Sequence, residues 1–205
     1  MNRLYRIGKF VGSAAAIIKP LVFSLAIILF LRVTGLISYV SYASNWMILQ
    51  SGFKDATEEK DARQDEFNFN FDIQDLAGNK VAFDQFRGKV IFLNLWATWC
   101  GPCRAEMAGI QRLYEKVDKE KIIFVMLSLD RDTDKQKVIS YLQKRKFTFQ
   151  GFMPSGYLPD QLKVPSIPTT FIVSKDGKIV RKEVGSMRYD TSRFQKFIEE
   201  LSQSK

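Results

Sequence analysis

The chain contains no histidine. That excludes Ser-His-Asp and Cys-His nucleophilic sites and the H-E-x-x-H zinc motif. Cysteine is almost as scarce, with two residues, Cys100 and Cys103. A c-type haem attachment needs a histidine directly after the second cysteine, and Arg104 stands there. A structural zinc site takes four nitrogen or sulfur ligands as a rule, which two cysteines cannot supply. Neither G-x-G-x-x-G nor a Walker A loop occurs, so no bound nucleotide is indicated. Internal repeats and low-complexity segments are absent as well.

Acids are missing from one end. Residues 1–53 hold Arg3, Arg6, Lys9, Lys19 and Arg32 and no Asp or Glu, a charge of +5; the remaining 26 basic and 22 acidic residues give +4, for +9 overall. More than half of the excess therefore flanks an apolar segment, where it reads as a topology signal. The one dense run, Lys144-Arg145-Lys146, reads as a solvated helix end. No nucleic-acid partner is expected.

What is present begins with that apolar segment. Residues 20–49, PLVFSLAIILFLRVTGLISYVSYASNWMIL, carry one charge, Arg32. About 20 apolar residues span a bilayer. A single transmembrane signal-anchor helix is expected over 20–49, in contact with lipid. A basic cytoplasmic N-terminus (1–19) precedes it and a polar linker (50–66) follows. The positive-inside rule keeps the N-terminus in the cytoplasm and places the rest on the extracytoplasmic, periplasmic side of the inner membrane. Arg32 would then have to snorkel. A signal peptide cleaved near Ser41-Tyr42-Ala43 is the alternative.

Residues 67–205 read as one α/β domain with a central mixed β-sheet flanked by helices. FNFNFDI alternates apolar and polar, and a hairpin is expected over 69–83. KVIFLNLWA (89–97) and KIIFVMLSL (121–129) are nearly continuous apolar runs, as in strands covered on both faces. Helices are expected over 101–118, 133–146 and 190–203, and a second hairpin over 169–184 with Asp176-Gly177 at its turn. The stretch 147–163 has no readable pattern.

Both cysteines lie where the first buried strand gives way to a helix that starts at about Gly101 or Pro102. Pro102 suits a first helical turn. Cys100 is thus at a helix N-terminus, where free N–H groups and the macrodipole favour a thiolate. Cys103, one turn deeper on the same side, can resolve the mixed disulfide that Cys100 forms by attack on a substrate. A purely structural bond between them would close almost no loop. Two-coordinate Cu(I) carriage remains the non-redox alternative.

The stretches WATWCGPC (96–103) and IPTTFIV (167–173) resemble the thioredoxin superfamily. With the anchor and WCGPCRAEM, the chain resembles its TlpA/ResA-like branch of membrane-tethered, extracytoplasmic thiol–disulfide reductases, several of which serve cytochrome c maturation. The resemblance implies a thioredoxin-like fold with an N-terminal β-hairpin extension. It also implies that Pro168 is the family's cis-proline facing the cysteines, with Ile167 offering backbone bonds to a docked substrate. Glu106 matches the branch's active-site glutamate, and Trp99 would flank the site as a wall. Two departures matter. The superfamily's buried Asp is Asn94 here, which removes one proton acceptor and puts more weight on Glu106. A proline that the branch often carries after the glutamate is Ala108. Gly101-Pro102 between the cysteines is the dipeptide of thioredoxin itself, a reductant. The expected activity is therefore reduction of disulfides in protein substrates outside the cytoplasm, with a membrane thiol carrier as electron donor and no cofactor or metal. Oxidase or isomerase activity is the redox alternative.

Overall fold

Residues 19–30, 32, 34, 36–50 and 65–204 are described in the computed structural model. The chain divides into two units, Met1–Val40 and Ser41–Lys205. The expected cytoplasmic segment and linker fall almost wholly outside the described residues.

Residues 19–30 are helical (α1), with Leu21, Val22, Phe23, Leu25, Leu29 and Phe30 all exposed. A further helix, α2, covers Leu36–Gln50. Among the described residues no helix is long and apolar enough to cross a membrane. The single span expected over 20–49 is described as these two helices, with residues 31, 33 and 35 outside the described set. The sequence between them ends in Val33-Thr34-Gly35, three weak helix formers. At Thr34 both the N–H (3.0 Å) and the hydroxyl (2.7 Å) bond to Phe30 O, a shared acceptor that bends helices.

Seven strands form one mixed sheet: β1 (Asp72–Asp75), β2 (Lys80–Ala82), β3 (Val90–Trp96), β4 (Ile122–Ser128), β5 (Gly151–Pro154), β6 (Thr169–Val173) and β7 (Ile179–Val184). Their order is β2-β1-β5-β4-β3-β6-β7. β3 is parallel to β4 and β4 to β5, whereas β6 runs antiparallel to both β3 and β7. Three helices complete the domain: α3 (Gly101–Lys116), α4 (Lys135–Lys144) and α5 (Ser192–Gln203).

All seven residues of β3 are buried, as its unbroken apolar run requires. Alternation sends Val90, Phe92, Asn94 and Trp96 to one face and Ile91, Leu93 and Leu95 to the other. The first face packs against Met107 and Ile110 of α3, Val138 and Leu142 of α4, and Phe194 and Ile198 of α5. The three helices therefore flank the sheet on one face. Two successive right-handed crossovers, β3-α3-β4 and β4-α4-β5, step in the same direction and leave both of their helices on one side.

The other face is covered by Phe67, Phe69, Phe71, Phe83 and Leu162. Here the FNFNFDI alternation is real but mostly not a strand. Its three phenylalanines are buried, Phe71 stacks on Phe83 at 4.5 Å, and ladder pairing begins only at Asp72. Extended chain with alternate aromatic anchors has the same period as a strand.

β5 is the element the sequence did not announce. Four residues containing a Gly and a Pro carry no strand signature. Yet β5 joins the hairpin β1-β2 to β4. Gly151 fits because a Cβ there would come within 2.8 Å of Leu142 Cδ1 and 3.0 Å of Leu76 Cδ1.

Phe83 is fully buried and its ring meets those of Phe67, Phe71 and Phe86. Phe83→Ala should lower the unfolding free energy by about 3–5 kcal/mol, measured by urea denaturation.

Candidate active site

α3 begins at Gly101 with Cys100 as its N-cap. Cys100 Sγ accepts the Cys103 N–H at 3.1 Å, so an α3 amide points at this sulfur, an arrangement that stabilises a thiolate. Cys100 and Cys103 are joined as a disulfide, with Cα atoms 5.3 Å apart. Cys100 is 6% exposed and Cys103 fully buried. The outer sulfur is therefore the one a partner can reach.

The Ile167–Pro168 bond is cis. It turns the loop before β6 towards the disulfide, and Ile167 O lies 3.7 Å from Cys100 Sγ. Trp99 is 63% exposed, so it is a surface wall and not a core residue. Trp99, Ile167, Leu129, Leu158, Leu162 and Val164 line an apolar groove of about 570 Å³ beside the sulfurs. The unreadable stretch 147–163 thus supplies β5 and part of this groove.

Glu106 is 2% exposed. It lies three residues beyond Cys103 on the face of α3 that packs on the sheet. Its Oε1 accepts from Asn94 Nδ2 at 2.8 Å and its Oε2 from the Met187 N–H at 3.0 Å. Burial pushes the carboxyl up to about 8, while the Met187 N–H and the Asn94 amide pull the other way. The group therefore changes charge in the range where thiols exchange protons.

Three consecutive residues after β7 fasten the site. Gly185 N–H donates to Pro168 O at 2.8 Å, Ser186 Oγ to Pro102 O at 2.8 Å, and Met187 N–H to Glu106. Gly185 has φ +92°, a conformation glycine adopts without steric cost. One short segment thus ties the cis-proline loop, the first turn of α3 and the carboxylate together.

Residues 65–182 match the AhpC/TSA family. The chain belongs to that family. Thiol-disulfide oxidoreductase ResA of Bacillus cereus is 36% identical over 117 residues, 57% of this chain and 66% of the relative, just under two thirds. The thioredoxin-like protein YneN of Bacillus subtilis is 31% identical over 153 residues, 74% of this chain and 87% of its own. Among solved structures, a thiol:disulfide interchange protein of the thioredoxin family from Chlorobium tepidum superposes with a TM-score of 0.56 at 20% identity, covering 69% of this chain and 99% of its own. The fold is thioredoxin-like.

One residue of the site escaped the sequence reading. Asp130, 6% exposed, follows β4. It accepts from Thr98 N at 2.8 Å, Thr98 Oγ1 at 2.6 Å and Ser128 Oγ at 2.6 Å. It therefore pins the loop that leads into Trp99 and Cys100. The only signal was an acid placed directly after a buried strand, which is too common to single out.

Asp130→Ala leaves buried donors unpaired and should cost about 1–3 kcal/mol, read from denaturant midpoints, with slower thiol–disulfide exchange at Cys100. For Glu106 the sign follows from linkage. A carboxyl whose folded-state value is raised stabilises the fold below its ordinary value of 4.5, and that stability is lost as pH rises towards about 8. Glu106→Gln should therefore gain stability relative to the parent across that window. A stability difference flat with pH would refute this.

Proposed function

We propose that this chain is a protein-disulfide reductase held at the inner membrane by its N-terminal segment, with residues 67–205 on the periplasmic side. The observation that carries the activity is the CGPC disulfide at the N-terminus of α3, facing a cis-proline and backed by a buried carboxyl. The likeness to proteins named thiol-disulfide oxidoreductase supports it. The anchor and topology rest on the apolar run 20–49 and the basic residues before it. A role in cytochrome c maturation rests on the resemblance to the TlpA/ResA-like branch.

The reduced enzyme carries two thiols. Cys100 thiolate attacks one sulfur of the substrate disulfide, forming a mixed disulfide and releasing the first substrate thiolate. Cys103 then loses its proton and attacks Cys100 Sγ. The second substrate thiol leaves, and the enzyme is left as the Cys100–Cys103 disulfide. Two electrons and two protons pass to the substrate. The apolar groove beside Trp99 receives the substrate chain, and the Ile167 backbone offers it an extended pairing edge. Glu106 takes and returns the resolving proton. A membrane thiol carrier restores the dithiol, because the chain has no further cysteine pair or nucleotide motif of its own.

The test is Cys103→Ser in intact cells. Attack without resolution should accumulate mixed disulfides with periplasmic proteins, and a membrane-impermeant maleimide should block their formation. Cys100→Ser should form none. A reduction potential of the parent near thioredoxin's, about −270 mV, is expected; a value near about −120 mV, that of a strong oxidant, would reverse the direction of electron flow.

A further inference from the structure

Asn94 sits on β3 directly opposite Thr170 of β6 and is fully buried. Its Nδ2 uses both protons, one on Glu106 Oε1 at 2.8 Å and one on Thr170 Oγ1 at 2.9 Å. Its Oδ1 is buried and has no hydrogen-bond partner among the described residues. A buried acceptor left empty is unfavourable. The same amide turned by 180° has nearly the same shape. In that orientation Oδ1 would face both Glu106 Oε1 and Thr170 Oγ1.

Which orientation is better depends on one proton. Ionised Glu106 can only accept, so it requires Nδ2. Neutral Glu106 carries an O–H that needs an acceptor; of the two buried groups here without a partner, Asn94 Oδ1 and the Tyr189 hydroxyl, Asn94 is the residue already at hydrogen-bond distance from the carboxyl. The Thr170 hydroxyl can donate or accept, so it follows either orientation. We infer that the Asn94 amide reorients with the protonation of Glu106, which makes Asn94 a positioning residue that hydrogen-bonds the carboxyl in both of its states.

An asparagine that turns does what a fixed donor or a second acid could not. A fixed donor favours the ionised carboxyl alone and lowers its pKa. An Asp would share a proton with Glu106 and split the titration into two steps. A partner that can bond both states lowers the carboxyl less than a fixed donor would.

Arg112, Arg188 and Asp190 line a small pocket together with Glu106, and the two arginines pair with Asp190 at 2.8 and 3.3 Å. Cys100 and Cys103, at the start of the same helix, do not titrate as a disulfide. From the segment after β7 Glu106 faces the Met187 N–H and Tyr189, whose hydroxyl is pushed well up by burial and then by the Glu106 charge. Arg181 and Glu183 on β7 act on Tyr189. The bearing on redox chemistry rests on the proposed proton role of Glu106. The measurement below uses the oxidised protein without turnover, so the two can fail separately.

The experiment is an NMR titration of the full-length disulfide form, following Glu106 13Cδ and the Asn94 side-chain NH2. Both Asn94 protons should move upfield together as Glu106 takes its proton, because Nδ2 then occupies the partnerless position. Movement of only the proton facing Glu106, with the one facing Thr170 unchanged, would show a fixed donor and overturn the inference. Asn94→Leu gives a second reading. Both states then lose a bond, so the Glu106 midpoint should shift by less than about half a pH unit. A rise beyond about one unit, the size of losing a charge-assisted bond from the ionised form alone, contradicts a turning amide.

Discussion

A buried hydrogen bond from Asn94 to Glu106 joins the central strand to the helix that carries both sulfurs. Much of the site depends on it. β3 is held on both sides by ladders to β4 and β6, so the Asn94 backbone is a fixed point. Through Glu106 the same bond reaches Met187, and the neighbours of Met187 bind the Pro168 loop and the first turn of α3. Disturbance at Glu106 is therefore felt at the cis-proline edge within two or three hydrogen bonds.

That arrangement is energetically expensive to build from a carboxyl. Removing a charged carboxylate from water costs several kcal/mol unless it is paired, and Glu106 has two N–H donors and no cation among its named partners. Burial outweighs both donors, and the carboxyl rises to about 8. Asp130 is a second buried acid in the same domain. It is nearly as buried, but the Thr98 N–H and two hydroxyls converge on it. Asp130 holds the loop that leads into Trp99 and Cys100.

How much of this was legible follows from where each signal lies in the chain. β3, β4 and the active-site helix were readable because continuous apolar runs and helical spacing are local patterns. Cys100, Cys103 and Pro168 were readable because their motifs are short and specific. Glu106 and its partial burial could be named from the resemblance, but its partners could not, since Met187 reaches it from the segment after β7. Asn94 was legible as a missing acid. Its role as a donor required knowing that β3 alternation places residue 94 on the α3 side and opposite Thr170. β5 was illegible because a strand held between two neighbours needs little propensity of its own, and Gly151 is selected by the nearby Leu142 and Leu76. The helices' sharing of one face was a matter of crossover direction, which residue types do not encode.

The exposure gradient along the site then bears on the proposed chemistry. Trp99 is open to solvent, Cys100 is nearly covered and Cys103 is wholly covered. A substrate seated in the groove removes the remaining water from Cys100. The resolving step must take a proton from Cys103 at that moment, with bulk water excluded. A base inside the fold is then required. Asn94 cannot serve, since an amide holds no exchangeable charge in this range. An ordinary surface carboxylate, near 4.5, would be too weak a base for a thiol proton. Glu106, raised to about 8 by the same burial that shields Cys103, is matched to the task. On this reading the burial of Glu106 is the condition under which a covered thiol can resolve at all.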